Sequence, residues 1–270
     1  MNLGVKSYIV DAFTDQPFKG NPAGVCVLDY PLEESLMQDI AAELNFSETA
    51  FVLKGDNGKY SIRYFSPKME IPLCGHATMA SSKVLFLDEE LFDIEFRTHA
   101  GIELYVKRYD DRIAMQFPVY DTVFASVPYE MLDALGIDEI INSAFNKETN
   151  SIIIEISDPK KLQSLTPDFQ ALLASHNSIH GVSVTAKSED GLFDFYSRYF
   201  WPWAGTNEDP VTGGAHTFLS KYWSERLGKN KMKSFQCSPR TGSMDVHLID
   251  DRNVLLIGDA FILFTGLLDL

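Results

Sequence analysis

The tripeptide Arg63-Tyr64-Phe65 returns as Arg198-Tyr199-Phe200, 135 residues further along, and Pro67 and Pro202 keep that spacing. Cys74-Gly75-His76-Ala77 and Thr212-Gly213-Gly214-Ala215 each stand before a helix-forming stretch at a spacing of 138, so the second copy carries three extra residues in between. The apolar periodicity of 33–44, with Leu36, Ile40 and Leu44 four apart, has a helical counterpart at about the same offset, near 167–174. A duplicated chain is confined to architectures in which both halves repeat one order of strands and helices. Chance recurrence of short strings is the competing reading.

Each half mixes the two periodicities. In the first, strands are expected at 5–13, 24–28, 49–53, 60–65, 93–98, 102–107 and 112–117, and helices at 33–44 and 76–87. In the second, helices are expected at 128–136, 167–174 and 214–227. Strands are expected at 151–157, 182–186 and 193–200 and toward the C-terminus. This is an α+β pattern. It divides into a first lobe at 1–118 and a second at 119–260, with the last strand, 261–270, open to a return to the first. At 270 residues and 45% hydrophobic content, the chain can fill a core in each lobe.

Composition narrows the function classes. The C-terminal apolar run is broken by Gly258, Asp259 and Gly266 and is too short to cross a bilayer. The N-terminus alternates like a strand and lacks the sections of a signal peptide, so no membrane association and a cytoplasmic address are expected. A net charge of −15 without any Lys/Arg-rich run argues against nucleic acid as a partner. Cys26, Cys74 and Cys237 are odd in number and widely spaced, as in reduced proteins, and form neither a disulfide frame nor a zinc set.

The two glycine-rich helix starts suggest a ligand class. Backbone N–H groups in a helix's first turn lack intrahelical partners and sit at the positive end of its dipole. Gly75 and Ala77 in one half, and Gly213, Gly214 and Ala215 in the other, are therefore candidates to hold a carboxylate, and a small anionic metabolite is the expected partner. Glu48 follows a helix and precedes an apolar strand, a position suited to accepting and returning a proton or to a solvated, capping role. Its counterpart in the second half is Ser183, with no acid nearby, so one principal carboxylate is expected. Asp209, just before Pro210 in the longer loop, reads equally as a turn aspartate or a substrate-binding one. His76 lies in the first turn of its helix, where the dipole favours a neutral imidazole; a structural histidine is the alternative.

Other chemistries find little support. There is no GxSxG, no GxxxxGK[ST] and no GxGxxG after a strand. His176 and His180 have helical metal-pair spacing but lack an intervening glutamate and end at a glycine. Cys74 invites a two-thiol racemase reading, yet no cysteine occupies the matching place in the second half. No metal is expected.

Five segments in order, VDAFTDQPFKGNPAGVCVL, NFSETAFV, IRYFSPKMEIPLCGHAT, NEDPVTGGAH and QCSPRTGSMDVHL, resemble signature segments of the PhzF-like family of phenazine biosynthesis, across nearly the whole chain. The resemblance implies a fold like that of diaminopimelate epimerase: two pseudo-symmetric lobes, each a curved mixed β-sheet around a central helix, with the active site between them. It also implies an isomerase that shifts a proton without a cofactor, often as a homodimer. The family's catalytic glutamate falls on Glu48, its active-site histidine on His76 and its loop aspartate on Asp209. Where the family pattern often has serine, this chain has Gly214, which removes a hydroxyl from the loop. The rival expectations are a cofactor-independent epimerase or racemase of an amino or hydroxy acid, and a small-acid-binding protein without catalysis.

Overall fold

The structure is a computed structural model describing residues 4–55, 58–88 and 90–270. The three opening residues of the N-terminal segment lie outside the described residues. The chain forms two compact units: a first that runs to Gln116 and resumes at Ile257–Leu270, and a second spanning Phe117–Leu256.

The first unit contains β1 (Gly4–Ala12), β2 (Asn21–Leu28), α1 (Glu34–Leu44), β3 (Thr49–Lys54), β4 (Tyr60–Phe65), β5 (Glu70–Ile71), α2 (Gly75–Leu85), β6 (Asp93–Thr98), β7 (Glu103–Tyr109) and β8 (Arg112–Pro118). The following segment carries β9 (Val123–Phe124), α3 (Tyr129–Leu135), β10 (Asn142–Asn146), β11 (Ser151–Ile156), α4 (Pro159–Ser164), α5 (Phe169–Ala174), β12 (Gly181–Lys187), β13 (Phe195–Trp201), β14 (Thr206–Asp209), α6 (His216–Leu227), β15 (Lys231–Gln236), β16 (Gly242–Leu248) and β17 (Asn253–Gly258). The last strand, β18 (Ala260–Asp269), pairs antiparallel with β1.

Strand pairing repeats between the units. β1 and β2 are antiparallel, β2 runs parallel to β3, β3 is antiparallel to β4, and β4 pairs antiparallel with β5 and parallel with β6. In the second unit β10 and β11 are antiparallel, β11 runs parallel to β12, β12 is antiparallel to β13, and β13 pairs antiparallel with β14 and parallel with β15. In both units the parallel pair is joined through helix, as a parallel connection requires. Both are α+β, with a mixed sheet packed on one long buried helix.

The registers locate the three extra residues. Tyr64 faces Ile71 and Phe65 faces Glu70, whereas Tyr199 faces Asp209 and Phe200 faces Glu208. The insertion therefore lies between Phe200 and Glu208, where a single 3-10 turn, Pro202–Ala204, and a register shift take up the slack. In this register Asp209 occupies the place of Ile71.

Helices α2 and α6 are unusual in being buried nearly all round. α2 buries His76 through Ser82 and Val84, and α6 buries His216 through Ser220 with Tyr222, Trp223 and Ser224. Polar residues survive there because their hydroxyls bond back to the helix: Thr78 to the Cys74 carbonyl (2.7 Å), Ser81 to Ala77 (2.7 Å) and Ser82 to Thr78 (2.8 Å). α1 is the ordinary amphipathic case, burying Met37, Ile40 and Ala41 and ending on Asn45 in the left-handed conformation, φ 53°. The helix expected at 214–227 departs in one respect: Gly213–Ala215 form a 3-10 turn and α6 proper begins at His216. Two adjacent residues without side-chain bulk permit the tighter winding.

Candidate active site

In the first unit, β2 and β3 run in parallel so that the entry to β3 lies against the middle of β2. The Gly24 amide donates to the Glu48 carbonyl at 3.2 Å, anchoring the residue just ahead of the strand. Glycine is required at 24 by close approach: a Cβ there would lie 2.8 Å from the Thr49 hydroxyl and 3.1 Å from Leu44. The Glu48 backbone is thereby fixed and its side chain, 13% exposed, is directed to the start of α2.

His76 is the second residue of α2, and its Nε2 lies 3.2 Å from Glu48 Oε2. Ser47 Oγ is 3.4 Å from the same nitrogen, and Cys74 Sγ is 3.4 Å from Nδ1. Burial pushes the imidazole below its ordinary value, and the neighbouring carboxylate offsets part of that effect. A neutral ring protonated at Nε2 donates to Glu48 and leaves Nδ1 to accept from the Cys74 thiol. The carboxylate then keeps lone pairs for a substrate proton.

The first turn of α2 is braced from below. Tyr64 of β4, fully buried, donates to the Thr78 hydroxyl at 2.5 Å, and burial drives its phenol well above the ordinary tyrosine range. Arg63 beside it takes both Glu70 oxygens (2.8 and 2.6 Å) and reaches Glu34 at the head of α1 (2.6 Å). The bidentate pair ties β4 to β5, the short strand that leads into Cys74 and Gly75. Gly75, His76 and Ala77 open the helix together, with Cys74 at its N-cap in extended conformation.

The second unit repeats the brace with different occupants. Arg198 takes both Glu208 oxygens at 2.7 Å, tying β13 to β14, and Asp209 closes β14. The Asp209 carboxylate accepts from the Thr212 hydroxyl at 2.7 Å, and its carbonyl accepts from the Gln236 side chain at 2.6 Å, while Gln236 in turn accepts from the Thr212 amide at 2.8 Å. Gly213 and Ala215 are buried and Gly214 is exposed. A Cβ added to Gly214 would meet nothing within 4 Å.

His216, in the place of Thr78, points its ring inward. Its Nδ1 lies 3.1 Å from the Thr212 carbonyl and its Nε2 2.9 Å from Ser234 Oγ, and burial pushes the imidazole down to about 4. Ser183, expected from the spacing to match Glu48, instead pairs with Tyr199 as Ala50 pairs with Tyr64. The place of Glu48 therefore falls to Gly181, because the connection from β12 to β13 is two residues longer than that from β3 to β4.

The structure thus brings Glu48, Gly75, His76 and Ala77 together in one unit and Asp209, Gly213, Gly214 and Ala215 together in the other. Ser47, Cys74 and the Tyr64–Thr78 pair join the first cluster without having been singled out as site residues; the repeated Arg-Tyr-Phe string was the available signal for the brace. His176, considered above as half of a metal pair, instead accepts from the Ser178 amide at 3.2 Å. A cavity of about 370 Å³ in the second unit, bordered by Asn142, Tyr222 and Arg226, contains none of the site residues. Among the described residues, no helix is long and apolar enough to cross a membrane.

Residues 10–266 match the family model described as PhzC-PhzF, phenazine biosynthesis-like protein. An uncharacterized isomerase of Pseudomonas aeruginosa is 43% identical, over 97% of each chain. A phenazine biosynthesis protein of the PhzF family from Enterococcus faecalis superposes with a TM-score of 0.92 at 36% identity, covering 99% of this chain and 100% of that one. A hydroxyproline epimerase from Agrobacterium vitis, at 11% identity and a TM-score of 0.57, covers 100% of this chain and 94% of its own, and shares the fold alone.

Proposed function

Because this chain belongs to the phenazine biosynthesis-like PhzC-PhzF family of isomerase and epimerase-like proteins, we propose that it is a cofactor-independent isomerase that shifts a proton within a small carboxylic-acid metabolite, with Glu48 as the acid/base. The observation that carries this reading is the carboxylate of Glu48 held 3.2 Å from a buried imidazole at the start of a helix. Glu48 takes the proton from a carbon whose negative charge delocalises into an adjacent unsaturated acid system. It then returns the same proton to a second carbon on the same face. His76, kept neutral by burial, orients the carboxylate through its N–H and need not change charge during the step.

The amides of Gly75 and Ala77 are the proposed cradle for developing enolate charge, a contribution commonly worth several kcal/mol of barrier. Asp209, Gly213, Gly214 and Ala215 enter the proposal as substrate-binding groups, Asp209 through the Thr212 hydroxyl it already holds. A cytoplasmic homodimer completes the reading, and sedimentation of the purified protein tests the oligomer.

An epimerase or racemase is the second reading, favoured by the Cys74 thiol 3.4 Å from His76. A panel of small unsaturated, amino and hydroxy acids incubated in heavy water, followed by mass spectrometry, separates the readings. The proposed isomerase incorporates solvent deuterium into an unsaturated acid. Glu48→Gln, which keeps the shape and removes the base, lowers the exchange rate by at least about 100-fold. Full exchange by Glu48→Gln sinks the assignment, exchange only at the α-carbon of a saturated acid favours epimerisation, and saturable binding without exchange favours a non-catalytic protein.

A further inference from the structure

We propose that the cavity of about 370 Å³ in the second unit is a binding site for a free α-amino acid with an apolar side chain. Its lining includes Val123 and Phe124 of β9, Asn142 of β10, and Tyr222, Glu225 and Arg226 of α6. Beside it lies a carboxylate that the acid/base reading does not use: Glu155 of β11, only 5% exposed. Glu155 accepts from the Tyr222 hydroxyl at 2.6 Å and from Arg226 Nε at 2.8 Å, while Asn142 Nδ2 donates to the Tyr222 oxygen at 3.1 Å. The repeat shows that the first unit has no such cluster. Gly24 faces Thr49 as Ile152 faces Val182, and counting along from them Glu155 falls on Val27 and its β10 partner Asn142 on Lys6. The helix spacing that sets His216 in the place of Thr78 sets Tyr222 at Val84 and Arg226 at Asp88. Two valines thus give way to a glutamate and a tyrosine. Burying a carboxylate costs desolvation that valine avoids, and what the second unit gains from it is a fixed guanidinium.

The ligand class follows from charge and shape. Arg226 stacks over the Tyr222 ring, 4.5 Å from its centroid, and commits its Nε to Glu155. That leaves its two Nη groups as the donors it can turn to the cavity, the planar fork that takes a carboxylate by two parallel bonds. Glu155 already neutralises Arg226, and Glu225, the preceding residue of α6, adds a negative charge to the same wall. A simple anion is opposed there, whereas a zwitterion satisfies both groups: its carboxylate goes to Arg226 and its ammonium to Glu225. Val123 and Phe124 are exposed, and an apolar side chain laid on them removes apolar surface from water on both partners. The volume lies near the lower end of ligand pockets, which run from about 300 Å³ upward, and suits a molecule the size of leucine or phenylalanine. The proposal is independent of the function given above, because it involves none of the residues assigned to proton transfer.

The test is equilibrium dialysis of the full-length protein against radiolabelled L-leucine and L-phenylalanine. Their skeletons without the amine, 4-methylpentanoate and 3-phenylpropionate, serve as competitors. One amino acid per chain is expected to bind, at least about 10-fold more tightly than its amine-free counterpart. Glu225→Gln should erase that preference, and Phe124→Ser should weaken binding by roughly 5-fold or more. Both side chains are exposed, so these variants keep the test decisive if Arg226→Met, which should abolish binding, also strands Glu155 and impairs folding. Glu48→Gln should leave the affinity unchanged, which separates this cavity from the candidate active site. Three results overturn the proposal: no retention of either amino acid at millimolar concentration, binding that is lost with Glu48 and indifferent to Glu225 and Phe124, or amine-free acids that compete as well as the amino acids.

Discussion

Arg63 and Arg198 do the same job in the two units under different degrees of solvation, so replacing each by methionine is an internally controlled experiment. The Arg198 and Glu208 side chains are 6% and 12% exposed, and Arg198 Nη1 also donates to the carbonyls of Leu162 (3.2 Å) and Leu165 (2.7 Å), closing the C-terminal end of α4. Arg198→Met keeps the stem packed near Phe200 but leaves a desolvated carboxylate without its cation, a loss of about 3–5 kcal/mol. Arg63 and Glu70 are 21% and 20% exposed and Glu34 is 66% exposed, so water rescues the partners and Arg63→Met costs about 1–2 kcal/mol. The three tryptophans, Trp201, Trp203 and Trp223, all lie in the second unit, so tryptophan fluorescence reports that unit and far-ultraviolet circular dichroism reports both. With a urea slope of about 2 kcal/mol/M, Arg198→Met should lower the fluorescence midpoint by roughly 1.5–2.5 M. Adding Glu208→Leu should recover most of the loss, since it removes the stranded charge. Equal destabilisation by the two arginine substitutions, or no recovery in the double variant, refutes the argument from desolvation.

His216 is held at about 4 in the folded protein against an ordinary 6.5, so the unfolded chain binds the proton more tightly. Stability should be intact above pH 6.5 and fall by about 3 kcal/mol as pH drops to 4, with loss already measurable by fluorescence-detected unfolding between pH 6.5 and 5, above the range of carboxylate titration; a flat profile there contradicts it. His76, also depressed by burial, acts in the same direction in the first unit. Gly181→Ala would place a Cβ 2.4 Å from Tyr199 Oη and 2.6 Å from the ring, forcing the buried phenol off Ser151; a loss of about 1–3 kcal/mol in urea unfolding is expected, and an unchanged midpoint would show that the ring has room. Gly214→Ser meets open space, so its stability in urea unfolding should change by less than about 0.5 kcal/mol while deuterium exchange on the panel changes rate or preference. A folding defect in this variant would show that glycine is needed there for the backbone.

What the sequence made legible was whatever depended on periodicity. α1 with its Asn45 stop, the β3 and β4 strands and the repeated Arg-Tyr-Phe string are local patterns, and local forces set them. β10 and β14 are short and carry polar residues such as Asn142, Ser143, Thr206 and Asn207, and they exist as strands only because a neighbour supplies hydrogen-bond partners. α4 escaped notice although Asp158 accepts from the Lys160 amide ahead of Pro159, a start signal too brief to register over 6 residues. The contact between Glu48 and His76 was not readable from spacing either. It arises because Gly24 lets the β3 entry approach β2 and because Tyr64 and Thr78 fix the helix start, neither of which leaves a periodic trace.

Duplication followed by divergence bears on which proton chemistry the site supports. Removing a proton from one face of a carbon and returning one to the other requires two groups, each able to exchange a proton, on opposite faces of that carbon. At the Glu48 position the second half carries Gly181, the first residue of β12, which has no side chain. At the Cys74 position it carries Thr212, whose hydroxyl donates to Asp209. An alkyl hydroxyl is far too weak an acid to replace a thiol or carboxyl as a proton carrier near neutral pH. The titratable side chains near that turn are Asp209, which holds the Thr212 hydroxyl, and His216, whose ring is occupied by the Thr212 carbonyl and Ser234. The two units therefore differ in how they hold their acids: Glu48 lies 3.2 Å from the His76 imidazole, whereas Asp209 is held by the Thr212 hydroxyl and His216 faces the Thr212 carbonyl and Ser234.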